Sequence, residues 1–108
     1  MQMIDAHRLD EVVHSHAEML CHHFFPEGRK VGKEWRIASS PRAGRKKHKP
    51  GSLAIQIAGP YAGSWRDWDT DERGAFVRLV MTKDNLNFPD AARAIGAALG
   101  INLETSNV

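Results

Sequence analysis

Six histidines, one cysteine and a run of alternating aspartates are the residues of this 108-residue chain that could hold a metal or move a proton. His7, His14, His16, His22 and His23 fall with Cys21 on or near one helical stretch. A helix aims two imidazoles at one ion when they stand four residues apart. No two of these histidines do, so surface or partly buried histidines are the expected reading. Asp67, Asp69 and Asp71 alternate as in a calcium loop, which also needs glycine at its sixth position and a bidentate glutamate at its twelfth. Those positions hold Glu72 and Arg78. The carboxylates are expected instead to cap a helix and pair with nearby cations. No glycine-rich phosphate loop precedes a helix in the required form, and no Ser or Cys nucleophile is spaced to suggest an adjacent base. Neither catalysis, nor a cofactor, nor a metal is expected.

The other chemistry is electrostatic. Between Gly28 and Lys49 stand Arg29, Lys30, Lys33, Arg36, Arg42, Arg45, Lys46, Lys47 and Lys49 against Glu34 alone. Nine cations less one carboxylate give this segment +8, and because the whole chain carries +2 the remainder carries −6. Segregated charge of this kind is the footprint of a protein that meets a polyanion, nucleic acid first and a membrane surface second. A solvated basic loop without a partner is the alternative. Trp35, Trp65, Trp68 and Tyr61 could stack bases beside these cations, as in single-strand binders. Tryptophans in so small a domain also serve as core, and Trp65 and Trp68 are expected there. Strand alternation separates those two onto opposite faces unless the strand ends between them, which would leave one of the two exposed.

These residues must be positioned by a few short elements. Asp5 is an N-cap candidate, and Leu9, Val12, Val13, Ala17, Leu20 and Phe24 recur at helical spacing, which predicts one helix from Ala6 to about Phe24. Pro26 and Gly28 follow it. Lys33 to Ser39 alternates Trp35 and Ile37 with polar residues, as a half-buried strand does. Ser40 to Gly51 holds proline, glycine and cations and reads as a basic loop. Leu53, Ile55 and Ile57 mark a second strand, Gly59 to Gly63 a turn, and Ser64 to Trp68 a third, antiparallel strand. A helix from about Arg73 to Lys83 follows, with Asp69 and Glu72 at capping-box spacing. Asn87, Pro89 and Asp90 open a last, alanine-rich helix that runs to Gly100. Glu104 to Val108 is expected to fray.

The length and the 42% hydrophobic content suit one domain, residues 1–108, with one core. A single cysteine excludes an internal disulfide. No apolar run approaches the roughly 18 residues of a membrane span, and the charged N-terminus is not signal-like, so a cytoplasmic location is expected and no membrane partner.

The second half, GSWRDWDTDERGAFVRLVMTKDNLNFPDAARAIGAALGINL, resembles the end of the N-terminal zinc-ribbon domain of bacterial-type DNA primases. In that pattern an aromatic strand leads into Cys-x-x-Cys, a glycine-rich turn, a helix, a short link and a final helix ending in Leu-Gly-Ile. Asn85-Leu86-Asn87-Phe88-Pro89-Asp90-Ala91 matches the link, Leu99-Gly100-Ile101 the end, and Gly74 the glycine before the helix. The earlier stretch, FFPEGRKVGKEWRIAS followed by PGSLAIQIAGPYAGSWRDW, is similar to the phage- and plasmid-borne branch of that group, which often lacks the metal ligands. The likeness covers about Phe24 to Leu103.

The resemblance implies an α+β fold: a small antiparallel sheet of about three strands, an N-terminal helix and two C-terminal helices, derived from a zinc ribbon but without metal. Its Cys-x-x-Cys pair has become Trp65-x-x-Trp68, so these are degenerate metal-site positions. It implies a non-catalytic module that contacts template DNA beside a separate polymerising domain. The partner would be DNA in single-stranded form, with a primase catalytic domain or a helicase as a further one. Arg29, Lys30, Lys33, Arg36, Arg42, Arg45, Lys46, Lys47 and Lys49, with Trp35, are the expected contacts. The competing expectation is a stand-alone protein-interaction module of a phage or mobile element that has lost DNA recognition. A metal-dependent enzyme built on the histidine-rich helix is a third, weaker one.

Losing the cysteines has an energetic consequence. A structural zinc contributes about 10–16 kcal/mol to the folding of a small finger, and tryptophan cannot ligate it. Burying one tryptophan removes about 150–250 Å² from water, or on the order of 4–6 kcal/mol as an upper figure. Two buried indoles in the former ligand site would approach the lost term. Metal analysis of the purified protein is therefore expected to find no zinc; one tightly held zinc per chain overturns this reading.

Overall fold

The computed structural model describes residues 3–37, 53–68 and 71–105. The fold is α+β, with four helices and a five-stranded antiparallel sheet where the sequence led us to expect about three strands. A two-residue strand β1 (Met3–Ile4) leads into α1 (Ala6–Ser15) and α2 (Ala17–Phe24). The main sheet follows: β2 (Arg29–Val31), β3 (Glu34–Ile37), β4 (Leu53–Gln56), β5 (Ser64–Asp67) and β6 (Glu72–Ala75), each paired with its neighbour in chain order. Helices α3 (Phe76–Asp84) and α4 (Phe88–Leu99) and a last strand β7 (Glu104–Thr105) complete it.

The sheet is defined by its register. Trp35 pairs with Ile55, Ile55 with Trp65 and Trp65 with Gly74, so one row crosses four strands. Side chains alternate along a strand, and this row with Ile37, Leu53 and Asp67 forms the inner face. Leu20, Phe24, Phe25, Phe76, Leu79 and Ile95 complete the core against it. Phe76 is its hinge point, meeting Phe24 and Phe25 edge-on at centroid distances of 5.9 and 5.8 Å. Among the described residues no helix is long and apolar enough to cross a membrane.

Four expectations change. The single first helix is two, because the chain bends at His16, whose Nδ1 lies 2.9 Å from the Val12 carbonyl. The bend lays α1 against the Gly59–Gly63 turn, where Gly63 has φ +96° and a Cβ would stand 2.6 Å from Val13. Only glycine meets both conditions. Of the expected capping box, Asp69 lies outside the described residues and Glu72 lies in β6; α3 starts three residues later than expected at Phe76, and its cap Ala75 makes no side-chain bond. The hydrogen bond from Asp71 N to Asp67 O, 2.7 Å, closes the β5–β6 corner. Of the expected frayed tail, Glu104 and Thr105 pair with β1, and Arg93 Nε donates to Glu104 at 2.7 Å, while residues 106–108 lie outside the described residues. The last helix agrees with expectation: Asn87 accepts from Asp90 N, Pro89 sits in its first turn, and Gly100 closes it at φ +71°.

Trp35 corrects a fourth expectation. It is 3% exposed, its Nε1 donates to the Phe25 carbonyl at 3.0 Å, and its ring lies 4.4 Å from that of His22. It cannot stack a base. An apolar ring with one polar corner is stable inside only when that corner is bonded, and the chain leaving α2 supplies the acceptor. Gly28 makes this approach feasible, since a Cβ there would lie 2.2 Å from Trp35 Nε1 and 2.9 Å from the Arg36 carbonyl. Gly28→Ala is therefore expected to cost about 1–3 kcal/mol through overpacking, read as a lowered midpoint in urea unfolding.

Candidate nucleic-acid interface

A strand that turns Trp35 and Trp65 inward turns their neighbours outward. In register, Arg29 stands beside Arg36, Arg36 beside Ala54, Ala54 beside Arg66 and Arg66 beside Arg73. Four arginines thus occupy one row across all five strands. At about 4.8 Å between strands the row is about 19 Å long. Ala54, in its middle, is only 1% exposed; long guanidinium stems flanking a small residue cover apolar surface in this way.

Carboxylates and aromatic rings complete this face. Glu34 takes Arg36 Nη2 at 2.6 Å and Gln56 Nε2 at 3.1 Å. Asp71 takes Arg66 Nη2 at 2.5 Å and lies 3.6 Å from Arg73 Nη2. These contacts, those of Arg66 foremost, hold the exposed Asp71 carboxyl below its usual range. Its charged form is favoured in the fold, and the pairing is lost only as pH falls through that lowered value. Arg66 Cζ lies 3.9 Å from the centroid of the Trp68 ring, a cation–π contact. Trp68 is 54% and Tyr61 74% exposed, and both line an open cleft with Glu34, Gln56, Ser64 and Arg66.

Sequence reasoning located part of this. Arg29 and Arg36 lie in the row. Lys30 does not: it is on the inner side, and its Nζ donates to Glu18 of α2 at 3.2 Å. Lys33 sits in the β2–β3 turn, at the opposite end of β3 from Ile37. Arg42, Arg45, Lys46, Lys47 and Lys49 lie outside the described residues. Their segment is anchored at Ile37 and Leu53, which pair with each other, and Leu53 pairs with Asp67 next to Trp68. Arg66 and Arg73 were missed, because the stretch from Asp67 to Arg73 reads as a helix cap until β6 is recognised as a strand. Two arginines flanking a tight acidic corner are the available signal.

Trp65 and Trp68 do not share a site. Trp65 is 5% exposed on the inner face, and its Nε1 donates to the Ala75 carbonyl at 2.9 Å. Trp68 lies outside, past the end of β5. The sum of two buried indoles therefore fails at Trp68, and Trp65 alone contributes the core term. Their neighbourhood does not fit zinc: an indole N–H already engaged and a guanidinium stand where ligands would be needed. Among the described residues no group of three His, Cys, Asp or Glu could hold a metal ion. Cys21 is buried, and desolvation first, with Glu18 second, pushes its thiol up to about 12. It stays protonated, a poor nucleophile and ligand.

No family model, curated protein or solved structure matches the chain.

The two tryptophans separate by experiment. Trp65→Ala is expected to destabilise by about 3–5 kcal/mol, as large-to-small changes in a core do. Trp68→Ala is expected to cost less than about 1 kcal/mol, the scale of an exposed cation–π contact. Urea unfolding of both variants checks the contrast, and equal losses would place Trp68 in the core.

Proposed function

We propose that the chain is a non-catalytic nucleic-acid-binding module of a primase or replication system that holds single-stranded DNA across the outer face of its sheet. The observation that carries this is the in-register row Arg29, Arg36, Arg66 and Arg73, with Tyr61 and Trp68 exposed on the same face. Guanidinium groups engage phosphates by paired hydrogen bonds. Exposed rings beside them give unpaired bases a stacking surface that tolerates any sequence. A duplex, with its bases already stacked, could use the first feature and not the second.

Ile37 and Leu53, which border the basic segment in the sequence, pair with each other at the Trp68 end of this face, and the cations of that segment belong to the proposal by their charge alone. The likeness to primase zinc ribbons supports the same reading: a template-contacting domain whose polymerising partner is a separate domain. Cytoplasmic location and a primase catalytic domain or helicase as partner belong to this proposal.

Anisotropy titration of a labelled single-stranded oligonucleotide is expected to show binding at low salt that falls steeply as salt rises, since each neutralised phosphate releases counterions. Replacing Lys46, Lys47 and Lys49 with alanine is expected to reduce the slope of log K against log salt by about 0.7 for each phosphate no longer neutralised. Trp68→Ala is expected to weaken single-stranded more than double-stranded binding. No binding at low salt would sink the proposal and favour the protein-interaction module.

A further inference from the structure

Two arginines of the row, Arg66 and Arg73, converge on one carboxylate. Asp71 lies in the corner between β5 and β6 with φ +60°, a left-handed conformation that a non-glycine residue adopts at a cost. That conformation puts its Oδ1 2.5 Å from Arg66 Nη2 and 3.6 Å from Arg73 Nη2. The carboxylate is well exposed, so water and a competing anion can reach it.

The Arg66 guanidinium is held from two sides, by this carboxylate and by the Trp68 ring at 3.9 Å. Its Nε is buried and has no acceptor among the described residues. A buried donor left unbonded is costly, and Asp71 satisfies only the far edge of the group. A phosphate oxygen taking the place of the Asp71 carboxylate would stand between Arg66 Nη2 and Arg73 Nη2, where charge-assisted hydrogen bonds from both guanidinium groups can reach it.

We propose that Arg66 and Arg73 form a subsite for a phosphate group, and that the Asp71 carboxylate holds its place in the free protein until a backbone phosphate of the bound strand displaces it. The proposal rests on the nucleic-acid reading for its natural ligand, and on the geometry alone for the subsite. Asp71 is then an internal competitor. It keeps Arg66 oriented against Trp68 and lowers the affinity for every anion that binds there. The base next to the captured phosphate is left beside the exposed side of Trp68.

Asp71→Asn removes the competing charge and keeps the corner, because asparagine tolerates the left-handed conformation at least as well as aspartate. An exposed ion pair is weak, so its removal is expected to tighten binding about two- to five-fold. Removing one negative charge also raises the general attraction for anions, but that part does not depend on Arg66. The test is therefore a double-mutant cycle of D71N with R66A, and with R66K in case R66A fails to fold. R66K keeps the charge and loses the fork. Wild type and variants, with their fold checked by circular dichroism, are titrated with dT15 by anisotropy and with tripolyphosphate by calorimetry.

A D71N gain that disappears in the Arg66 variants, with either anion, is the expected result. No gain with either anion, or a gain that persists undiminished without Arg66, overturns the subsite. Arg66-dependent gain with tripolyphosphate in proteins that do not bind dT15 leaves the subsite standing and removes the nucleic-acid reading. Binding of dT15 that is indifferent to D71N does the reverse.

Discussion

The row Trp35, Ile55, Trp65 and Gly74 running across four strands is the constraint on which both faces of this molecule depend. Side chains alternate with a period of two, so a slip of one residue in any pairing would exchange the faces of that strand. Large apolar residues inside thus dictate that Arg36, Ala54 and Arg66 lie outside. The indole corners tighten the arrangement. Trp35 donates to Phe25 and Trp65 to Ala75, and each bond ties a strand residue to a chain segment that borders a helix. The inner face is therefore held in register by packing and in place by two directional bonds.

The likeness to a zinc ribbon meets its physical limit at the same place. In a metal-bound finger a single ion supplies most of the folding free energy. Here that role would fall to a continuous core in which Phe76 contacts Phe24 and Phe25 and the sheet row packs against α2, α3 and α4. Of Trp65 and Trp68, only Trp65 joins this core. The other stands at a corner closed by Asp71 and faces solvent, where its ring supports a guanidinium. Trp65 thus serves stability and Trp68 the surface.

The acidic corner also explains why charge counting alone does not find the arginine row. The basic run from Arg29 to Lys49 draws attention to consecutive cations, yet Arg29 and Lys30 are neighbours that point to opposite faces. Arg66 and Arg73 are seven residues apart in a stretch rich in aspartate, and pairing of β5 with β6 makes them direct neighbours. Their carboxylate partners reduce the net charge of the face without removing the guanidinium geometry that would recognise a phosphate.

By itself the sequence determined the class of fold, the strands at Trp35 and Ile55, the final helix with its Asn87 cap and Gly100 end, and the segregation of cations. These are local: they follow from periodicity, caps and composition within a dozen residues. The short strands β2 and β6, the bend at His16, the burial of Trp35 and which of Trp65 and Trp68 faces solvent were decided by tertiary structure. Three- and four-residue strands carry too little pattern to be read alone, and they exist because a neighbour offers hydrogen bonds. A tryptophan's side of the sheet depends on register with strands 20 residues away. The arginine row is the clearest case, since its members come from four strands and become one surface only when the sheet is assembled.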